Sequence, residues 1–235
     1  MTGFRLCTLN VERTNRDFDR VTAALIGVDA DVVCLQENTA EWDAALARSL
    51  AERYRWRSLR PTGGPGGMAL WSRRRVLVEK KLIPPTGGWF GAWYHELAIG
   101  DGSLHLINVH LRPPYLERGG RLSVPFAWFT TFLARFREVR SMRRIVGERR
   151  PLVVCGDFNE PWGLARGFLR RAWSLESALD RHTPDVATWS ERVGPLNLAL
   201  RLDDIYHSAE LRCRSAEVLM DCGSDHRPVV AEFVL

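Results

Sequence analysis

One stretch of the sequence decides the fold: residues 151–161, which read PLVVCGDFNEP. The continuous apolar run at 152–155 predicts a strand that is buried on both faces. Gly156 then permits a sharp exit from the sheet. Asp157 and Asn159 leave the strand end together, where open α/β sheets place their ligand sites. The alternative interpretation is an Asx turn that closes a loop, because many Asp and Asn side chains have that role.

The size and composition of the chain indicate one globular unit. It has 235 residues, of which 46% are hydrophobic, and α/β folds of this length commonly form one domain. The sequence contains no linker, internal repeat or low-complexity tail, so residues 1–235 are predicted to form a single catalytic domain. The net charge of +5 favours anionic partners such as phosphates, nucleic acid or acidic lipid.

Several protein classes are disfavoured by patterns that the sequence lacks. No apolar run reaches the roughly 18 residues needed to cross a bilayer, so no transmembrane segment is predicted. The chain enters a strand pattern directly without a signal-peptide profile, and its five cysteines include no Cys-x-x-Cys pair. These features predict a cytoplasmic protein with buried free thiols. The glycine-rich loop at 61–67 lacks the Gly-Lys-Ser/Thr ending of a P-loop, which excludes that class of nucleotide-binding site.

Polar residues also stand at the ends of other predicted strands or in tight turns. A glutamate directly after a buried strand is costly without a partner, so it should reach solvent or a cation. An asparagine or histidine at a strand end is a weak signal alone, but one buried sheet can bring many such ends to one rim. The residues concerned are Asn10, Glu37, His110, Asp203, Asp225 and His226.

The residue types in this set indicate the metal that they would bind. Acids, amides and histidines without cysteines suit a hard, oxygen-preferring cation such as Mg²⁺, with Mn²⁺ as the alternative. A zinc site would contain more histidine and cysteine ligands.

Loops between the predicted strands are candidates for substrate selection. Trp89 lies in a Pro/Gly loop and could stack on bases or enter a membrane interface. Arg112 and Arg118 lie in a polar loop and, with Trp89, are predicted to bind the substrate. Residues 181–194 show no periodic pattern and are expected to be irregular.

The ordered set of motifs resembles the endonuclease/exonuclease/phosphatase superfamily, which has the deoxyribonuclease I-like fold. The resemblance spans almost the whole chain, and it implies an α/β (α+β) fold: a four-layered sandwich of two packed mixed β-sheets flanked by helices. It also implies metal-dependent hydrolysis of a phosphate ester. The matching strings are Leu9-Asn10-Val11, Leu35-Gln36-Glu37, Asn108-Val109-His110, Gly156-Asp157-Phe158-Asn159, Arg201-Leu202-Asp203 and Ser224-Asp225-His226-Arg227-Pro228.

The resemblance also implies a role for each matching residue. Glu37 corresponds to the main metal ligand, with Asn10 and Asp225 beside it. Asp157 corresponds to the residue that orients or deprotonates the attacking water, and Asn159 to the one that holds the water or a phosphate oxygen.

The remaining catalytic roles belong to two histidines and an acid. His226 corresponds to the histidine that contacts the phosphate or acts as base, oriented by Asp203. The base role stays open between His226 and Asp157. His110 corresponds to a residue that hydrogen-bonds the phosphate and protonates the leaving oxygen.

Two departures from the family pattern shape the functional interpretation. Abasic-site endonucleases of the superfamily carry a tyrosine where this chain has His110, which argues against that repair activity. Asp204 stands where an aromatic residue is more common, as a supporting acid or an exposed one. The leading hypothesis is a Mg²⁺-dependent phosphodiesterase with nucleic acid as substrate. A lipid or small-molecule phosphoesterase, sphingomyelinase-like or inositol-phosphatase-like, is the first alternative, and a non-catalytic binding module of the same fold is a remote one.

Overall fold

The computed structural model describes residues 2–82, 90–113, 124–161, 163–193, 195–220 and 222–235, the side chains of 124–130 and 193 apart. Within these residues, the elements in chain order are β1 (Gly3–Asn10), α1 (Phe18–Val28), β2 (Val32–Gln36), α2 (Ala40–Leu50), β3 (Trp56–Arg60), β4 (Met68–Ser72), β5 (Val76–Leu82), β6 (Gly91–Ile99), β7 (Gly102–His110), α3 (Val124–Val146), β8 (Leu152–Asp157), α4 (Leu164–Arg171), β9 (Glu176–Ser177), α5 (Ala178–His182), β10 (Trp189–Val193), β11 (Leu196–Leu200), β12 (Asp203–His207), β13 (Arg212–Val218) and β14 (Val229–Val234).

Two six-stranded sheets form the centre of the molecule. Their strand orders are β13-β14-β1-β2-β4-β3 and β5-β6-β7-β8-β12-β9. Both are mixed, because β1 pairs with β2 and β7 with β8 in parallel, while β14 and β12 join them antiparallel. Apolar residues of α1 and α2 pack on the first sheet, and those of α3 and α4 pack on the second. The predicted four-layered sandwich is therefore confirmed.

The central strand β8 shows why its sequence is apolar throughout. Val153 and Cys155 face the other sheet, whereas Leu152 and Val154 face the helices. All four are 0% exposed, as predicted for a strand between two packed layers. At its end, Gly156 has φ +131°, and a Cβ there would lie 2.1 Å from the carbonyl oxygen of Val109 on β7. Only glycine therefore allows this close approach of the two strands.

A separate hairpin, formed by β10 and β11, makes its own two-stranded sheet. Its first strand falls at 189–193, inside the range 181–194 that the sequence predicts to be irregular, so that prediction was wrong. The strand was hidden because its middle residues, Ser190, Glu191 and Arg192, are polar and exposed. A bridge between Trp189 and His226, and a backbone hydrogen bond from Ser190 to Asp225, join this pair of strands to the turn before β14.

Among the described residues, no helix combines the length and the apolar character that a membrane crossing requires.

Candidate active site

The pairing register of the strands brings polar residues from both sheets to one end of the sandwich. In the second sheet, His110 of β7 pairs with Asp157 of β8, and Asp157 pairs with Asp203 of β12. In the first sheet, Asn10 ends β1 beside the end of β2, which Glu37 directly follows. The structure thus places these strand ends on one rim.

Asp157 lies at the centre of this group and is 1% exposed. Its Oδ2 accepts hydrogen bonds from Asn10 Nδ2 at 3.1 Å and Asn159 Nδ2 at 3.2 Å. Its Oδ1 accepts from the backbone N–H of Asn159 at 2.8 Å. Asn10 Nδ2 also lies 3.3 Å from Glu37 Oε1. Asn10 therefore acts as a donor that bridges the two carboxylates, and its own Oδ1 accepts from the backbone of Glu12.

His226 lies between two carboxylates. Its Nδ1 is 2.8 Å from Asp203 Oδ2, and its Nε2 is 3.8 Å from Asp157 Oδ2. Burial opposes the charged imidazolium, but the carboxylates of Asp203 and Asp157 outweigh burial and raise the pKa of His226 to about 10. Burial also raises the pKa of Asp157, although the charge of His226 opposes that shift. At neutral pH, His226 is therefore a cation.

His110 approaches the same carboxylates from β7. Its Nδ1 lies 2.9 Å from the backbone oxygen of Pro65, and since a carbonyl only accepts, Nδ1 carries a proton. Its Nε2 lies 3.6 Å from Asp157 Oδ2 and 3.8 Å from Glu37 Oε1. The ring of Phe90 meets the imidazole edge-on, with centroids 4.9 Å apart. His110 is thus oriented with Nε2 toward the acids.

Two candidate residues adopt strained backbone conformations. Glu37 has φ +57° and Asn159 has φ +50°, in the left-handed region that non-glycine residues avoid. Such conformations cost about 1–3 kcal/mol each and cluster at functional sites. Glu37 directly follows β2, and its side chain accepts a hydrogen bond from Asn10. Asn159 lies just after β8, and its side chain donates to Asp157.

Thr188 and Trp189 hold two of the acids, and the sequence analysis did not single them out. Thr188 Oγ1 donates to Asp203 Oδ2 at 2.7 Å, and Trp189 Nε1 donates to Asp225 Oδ2 at 2.9 Å. A hydroxyl and an indole in a segment without periodic pattern carry no distinguishing signal. Their partners emerge only from the fold, which places Thr188 at the start of β12 and Trp189 at the turn before β14.

A pair of buried amides joins the two sheets beside the site. Gln36 Nε2 donates to Asn108 Oδ1 at 2.6 Å, and Asn108 Nδ2 donates to the backbone oxygen of Leu35 at 3.0 Å. Both side chains are 0% exposed. Buried polar groups require partners. An amide residue within each of two buried strands is therefore the sequence feature that indicates this link.

A cavity of about 410 Å³ opens onto these groups. Its lining includes the predicted polar residues Asn10, Glu37, His110, Asp157, Asn159, Asp225 and His226, and the apolar side chains of Phe90, Pro161, Trp189, Leu198, Leu200 and Leu202. Asp203 stands behind His226, and Arg112 is not among the residues that line the cavity, since its Nε lies 3.9 Å from Glu138 of α3. The predicted substrate contacts Arg118 and Trp89 lie outside the described residues.

The donor set of the cavity fits a hard divalent cation. Glu37, Asp157 and Asp225 supply carboxylate oxygens, and hard cations prefer such ligands. Ligand atoms of Asp157, Asp203 and His226 also lie within 4.8 Å of one another in a buried cluster. The side chain of Glu37 is 20% exposed and that of Asp157 only 1%, so Glu37 is the more accessible ligand.

Comparisons with known proteins identify the family of the chain and agree with its fold. The profile of the Endonuclease/Exonuclease/phosphatase family matches residues 7–226. The chain therefore belongs to that family, and it is a phosphoric ester hydrolase. A sequence search of curated proteins returns no match.

Solved structures resemble the whole chain at low sequence identity. TDP2 from D. rerio, complexed with single strand DNA product, has 15% identity and a TM-score of 0.77, with 100% of each chain covered. An endonuclease/exonuclease/phosphatase from Bacteroides vulgatus has 20% identity and a TM-score of 0.74, also over 100% of each chain. ANGEL2, a 2′,3′-cyclic phosphatase in complex with adenosine-2′,3′-vanadate, has 16% identity and a TM-score of 0.68, over 99% of this chain and 95% of its own. These likenesses establish the shared fold.

Proposed function

We propose that the protein is a Mg²⁺-dependent phosphodiesterase that acts on nucleic acid. The carrying observation is the cavity, which is lined by carboxylates, histidines and apolar side chains together. A phosphate ester with a flat, apolar substituent is complementary to such a cavity. The positive net charge of +5 also suits a polyanion.

The acids and histidines divide the chemistry of hydrolysis among them. The raised pKa of His226 makes it a cation at neutral pH, suited to a non-bridging phosphate oxygen. Asp157 remains the nearby proton acceptor, since its Oδ2 is held by the amides of Asn10 and Asn159. We therefore assign deprotonation of the attacking water to Asp157 and its placement to Asn159. His110 faces the same carboxylate and would contact the leaving oxygen.

Glu37 and Asp225 would hold the cation, with Asn10 keeping Glu37 in position. A bound Mg²⁺ would neutralise charge on the phosphate as a Lewis acid, and Mn²⁺ could substitute for it. Asp203 would not touch the substrate, because its Oδ2 lies 2.8 Å from His226 Nδ1 and fixes the orientation of that ring.

The hairpin supports a nucleoside as the apolar substituent. Trp189, Leu198 and Leu200 lie on one face of it, because Trp189 pairs with Leu200 and Glu191 with Leu198 across the two strands. A base can stack on such a surface without a specific hydrogen-bond pattern. Two of the structural neighbours were solved with DNA product and with an adenosine derivative.

A lipid phosphoester is the second candidate substrate. Leu196 and Leu198 on the hairpin are 63% and 42% exposed, which also fits contact with a lipid surface. Family membership as an enzyme leaves the binding-module hypothesis without support.

A substrate panel tests the proposal. Mg²⁺-dependent turnover would be measured on single- and double-stranded DNA, RNA, sphingomyelin vesicles and an inositol phosphate, with Asp157→Ala as blank. We expect metal-dependent cleavage of a nucleic acid that is absent from the blank. Turnover of the vesicles or the inositol phosphate alone would overturn the nucleic-acid assignment.

Leu198 and Leu196 provide a matched pair that separates the two substrates. Leu198 lines the cavity, while Leu196 lies on the same hairpin face beyond it. For a nucleic acid, Leu198→Ser should raise KM while Leu196→Ser leaves it unchanged. Equal loss of vesicle binding in both variants would favour a lipid instead.

A further inference from the structure

Two buried arginines donate hydrogen bonds to chain segments next to the candidate catalytic residues. Arg166 of α4 and Arg135 of α3 are 7% and 1% exposed. Arg135 donates to the backbone oxygen of Arg112, two residues after His110. Arg166 Nε donates to the backbone oxygen of Glu160, directly after Asn159. Neither guanidinium belongs to the cavity lining described above.

Arg166 also reaches the segment that carries Asp203. Its Nη2 donates to the backbone oxygens of Arg201 and Leu202 at 3.1 Å each. The oxygen of Leu202 accepts a second hydrogen bond, from the backbone N–H of Phe158 at 3.0 Å. A single guanidinium therefore ties the loop after β8, directly past Asn159, to the two residues that precede Asp203.

Asp204 is the charge partner of this guanidinium. Its Oδ2 lies 2.8 Å from an Arg166 nitrogen, and the carboxylate is 0% exposed. Ser177 Oγ donates to the same carboxylate at 2.9 Å. The unusual second acid of the Asp203-Asp204 pair thus points away from His226 and holds Arg166 instead.

The energetics of a buried ion pair indicate that it serves to position other groups and not to stabilise the fold. Two charges lose their hydration on burial, and well-packed apolar residues of similar volume are often as stable or more so. What an apolar pair cannot supply is the planar fork of donors that binds several oxygens at fixed angles. Arg166 uses that fork on three backbone oxygens, those of Glu160, Arg201 and Leu202.

We propose that Arg166, charged and held by Asp204, is a positioning residue that fixes Asn159 relative to the His226–Asp203 pair. The proposal rests on the hydrolytic function proposed above. A small shift of these residues would misplace Asn159, and with it the Asp157 carboxylate to which it donates, relative to His226. Misplacement by about 1 Å can cost about 10²-fold in rate.

Arg166→Lys tests this, because it keeps the charge and removes the fork. The matched control is Arg171→Lys, at an exposed position on the same helix. We expect kcat of Arg166→Lys to fall by about 10- to 100-fold with KM nearly unchanged, and the control to match the wild type. If Arg166→Lys fails to fold, Asp204→Asn, which keeps the side-chain volume, should show the same fall in kcat with KM nearly unchanged.

A second measurement does not depend on activity. The proton between His226 and Asp203 should give a downfield NMR signal, assigned by its absence from His226→Gln, and this signal should shift or broaden in Arg166→Lys but not in Arg171→Lys. If the wild type hydrolyses nothing on the panel, the proposed function fails and this signal alone decides the positioning role. An unchanged signal, or an unchanged kcat in folded Arg166→Lys, would overturn the proposal.

Discussion

Two buried histidines, one at the cavity and one between the sheets, differ in charge: the first is a cation and the second is neutral. His226 is 5% exposed and His95 is 0% exposed, so burial alone does not distinguish them. At His226, burial is outweighed by Asp203 and Asp157, which raise the pKa to about 10. At His95, burial and the nearby Arg60 guanidinium act in the same direction and lower the pKa to about 3.

The difference shows that neighbouring charges decide what a buried imidazole can do. His95 packs at a ring distance of 4.7 Å from Trp93 and is neutral, so it behaves as part of the apolar core. His226 keeps a positive charge beside a cavity, where a phosphate can use it. The same residue type thus serves packing in one region and electrostatics in the other.

Removal of the cation should have the largest effect on this contrast. Chelation with EDTA is expected to reduce hydrolysis to background, because Glu37 and Asp225 would no longer hold a cation. Added Mg²⁺ or Mn²⁺ should restore hydrolysis. NMR signals of His110 and His226 should respond to titration with Mg²⁺, whereas the signal of His95 should not. Turnover that survives chelation would contradict the metal assignment.

Loss of a single carboxylate should have the next largest effect. Asp157→Asn keeps the side-chain volume but removes the proton acceptor and one of the charges that raise the pKa of His226. We expect kcat to fall by about 10³-fold, the upper range for loss of a preorganised electrostatic group. Steady-state kinetics would measure this, with His95→Leu as the control that retains activity. If kcat fell equally in Asp157→Asn and His95→Leu, the cavity and the space between the sheets would not differ in function as proposed.

The stability of the metal-free protein should depend on pH through His226. A histidine whose folded pKa is raised to about 10 stabilises the fold fully below its unfolded pKa, about 6.5, and that contribution is lost as pH rises toward 10. The free energy of unfolding should therefore fall across this window by up to about 1.4 kcal/mol per pH unit. Urea unfolding of the wild type and His226→Gln would measure it, and equal slopes in the two proteins would refute the charge assignment.

His95→Leu should have the smallest effect. Because the folded pKa of His95 is lowered, its neutral form stabilises the protein above pH 6.5 or so, and this contribution is lost as pH falls toward 3. Leucine has a similar volume, so stability at neutral pH should change by less than about 1.5 kcal/mol and hydrolysis not at all. The variant should also lose less stability than the wild type between pH 6.5 and 5, in unfolding experiments at each pH. A steeper acid loss in the variant would be the contrary result.

The strand ends that carry the site could be predicted because their local signals agree with each other. The apolar run before Gly156, and the acid and amide that follow it, predict a buried strand that ends at a site. The same logic places Asn10 and His110 at strand ends. Residues that act through long-range pairing could not be predicted in this way, since Thr188 meets Asp203, and Trp189 meets Asp225, only in the folded chain.

Side-chain direction was the other limit of the sequence. Arg112 stays a predicted substrate contact, but the sequence does not show that its Nε lies 3.9 Å from Glu138. Asn10 stays predicted beside the metal, but the sequence does not show that its Nδ2 faces the two carboxylates and its Oδ1 accepts from Glu12. Spacing in the sequence fixes which strand end a residue occupies, whereas the neighbouring charges fix which of its atoms faces the cavity.

The last strand of the sandwich governs when the site comes into existence. β14 pairs directly with β1, and Asp225 and His226 lie just before it. Asn10 ends β1 and His226 precedes β14, so these two groups meet only once strands far apart in the sequence have paired. Any opening of that strand pair would therefore take the site apart.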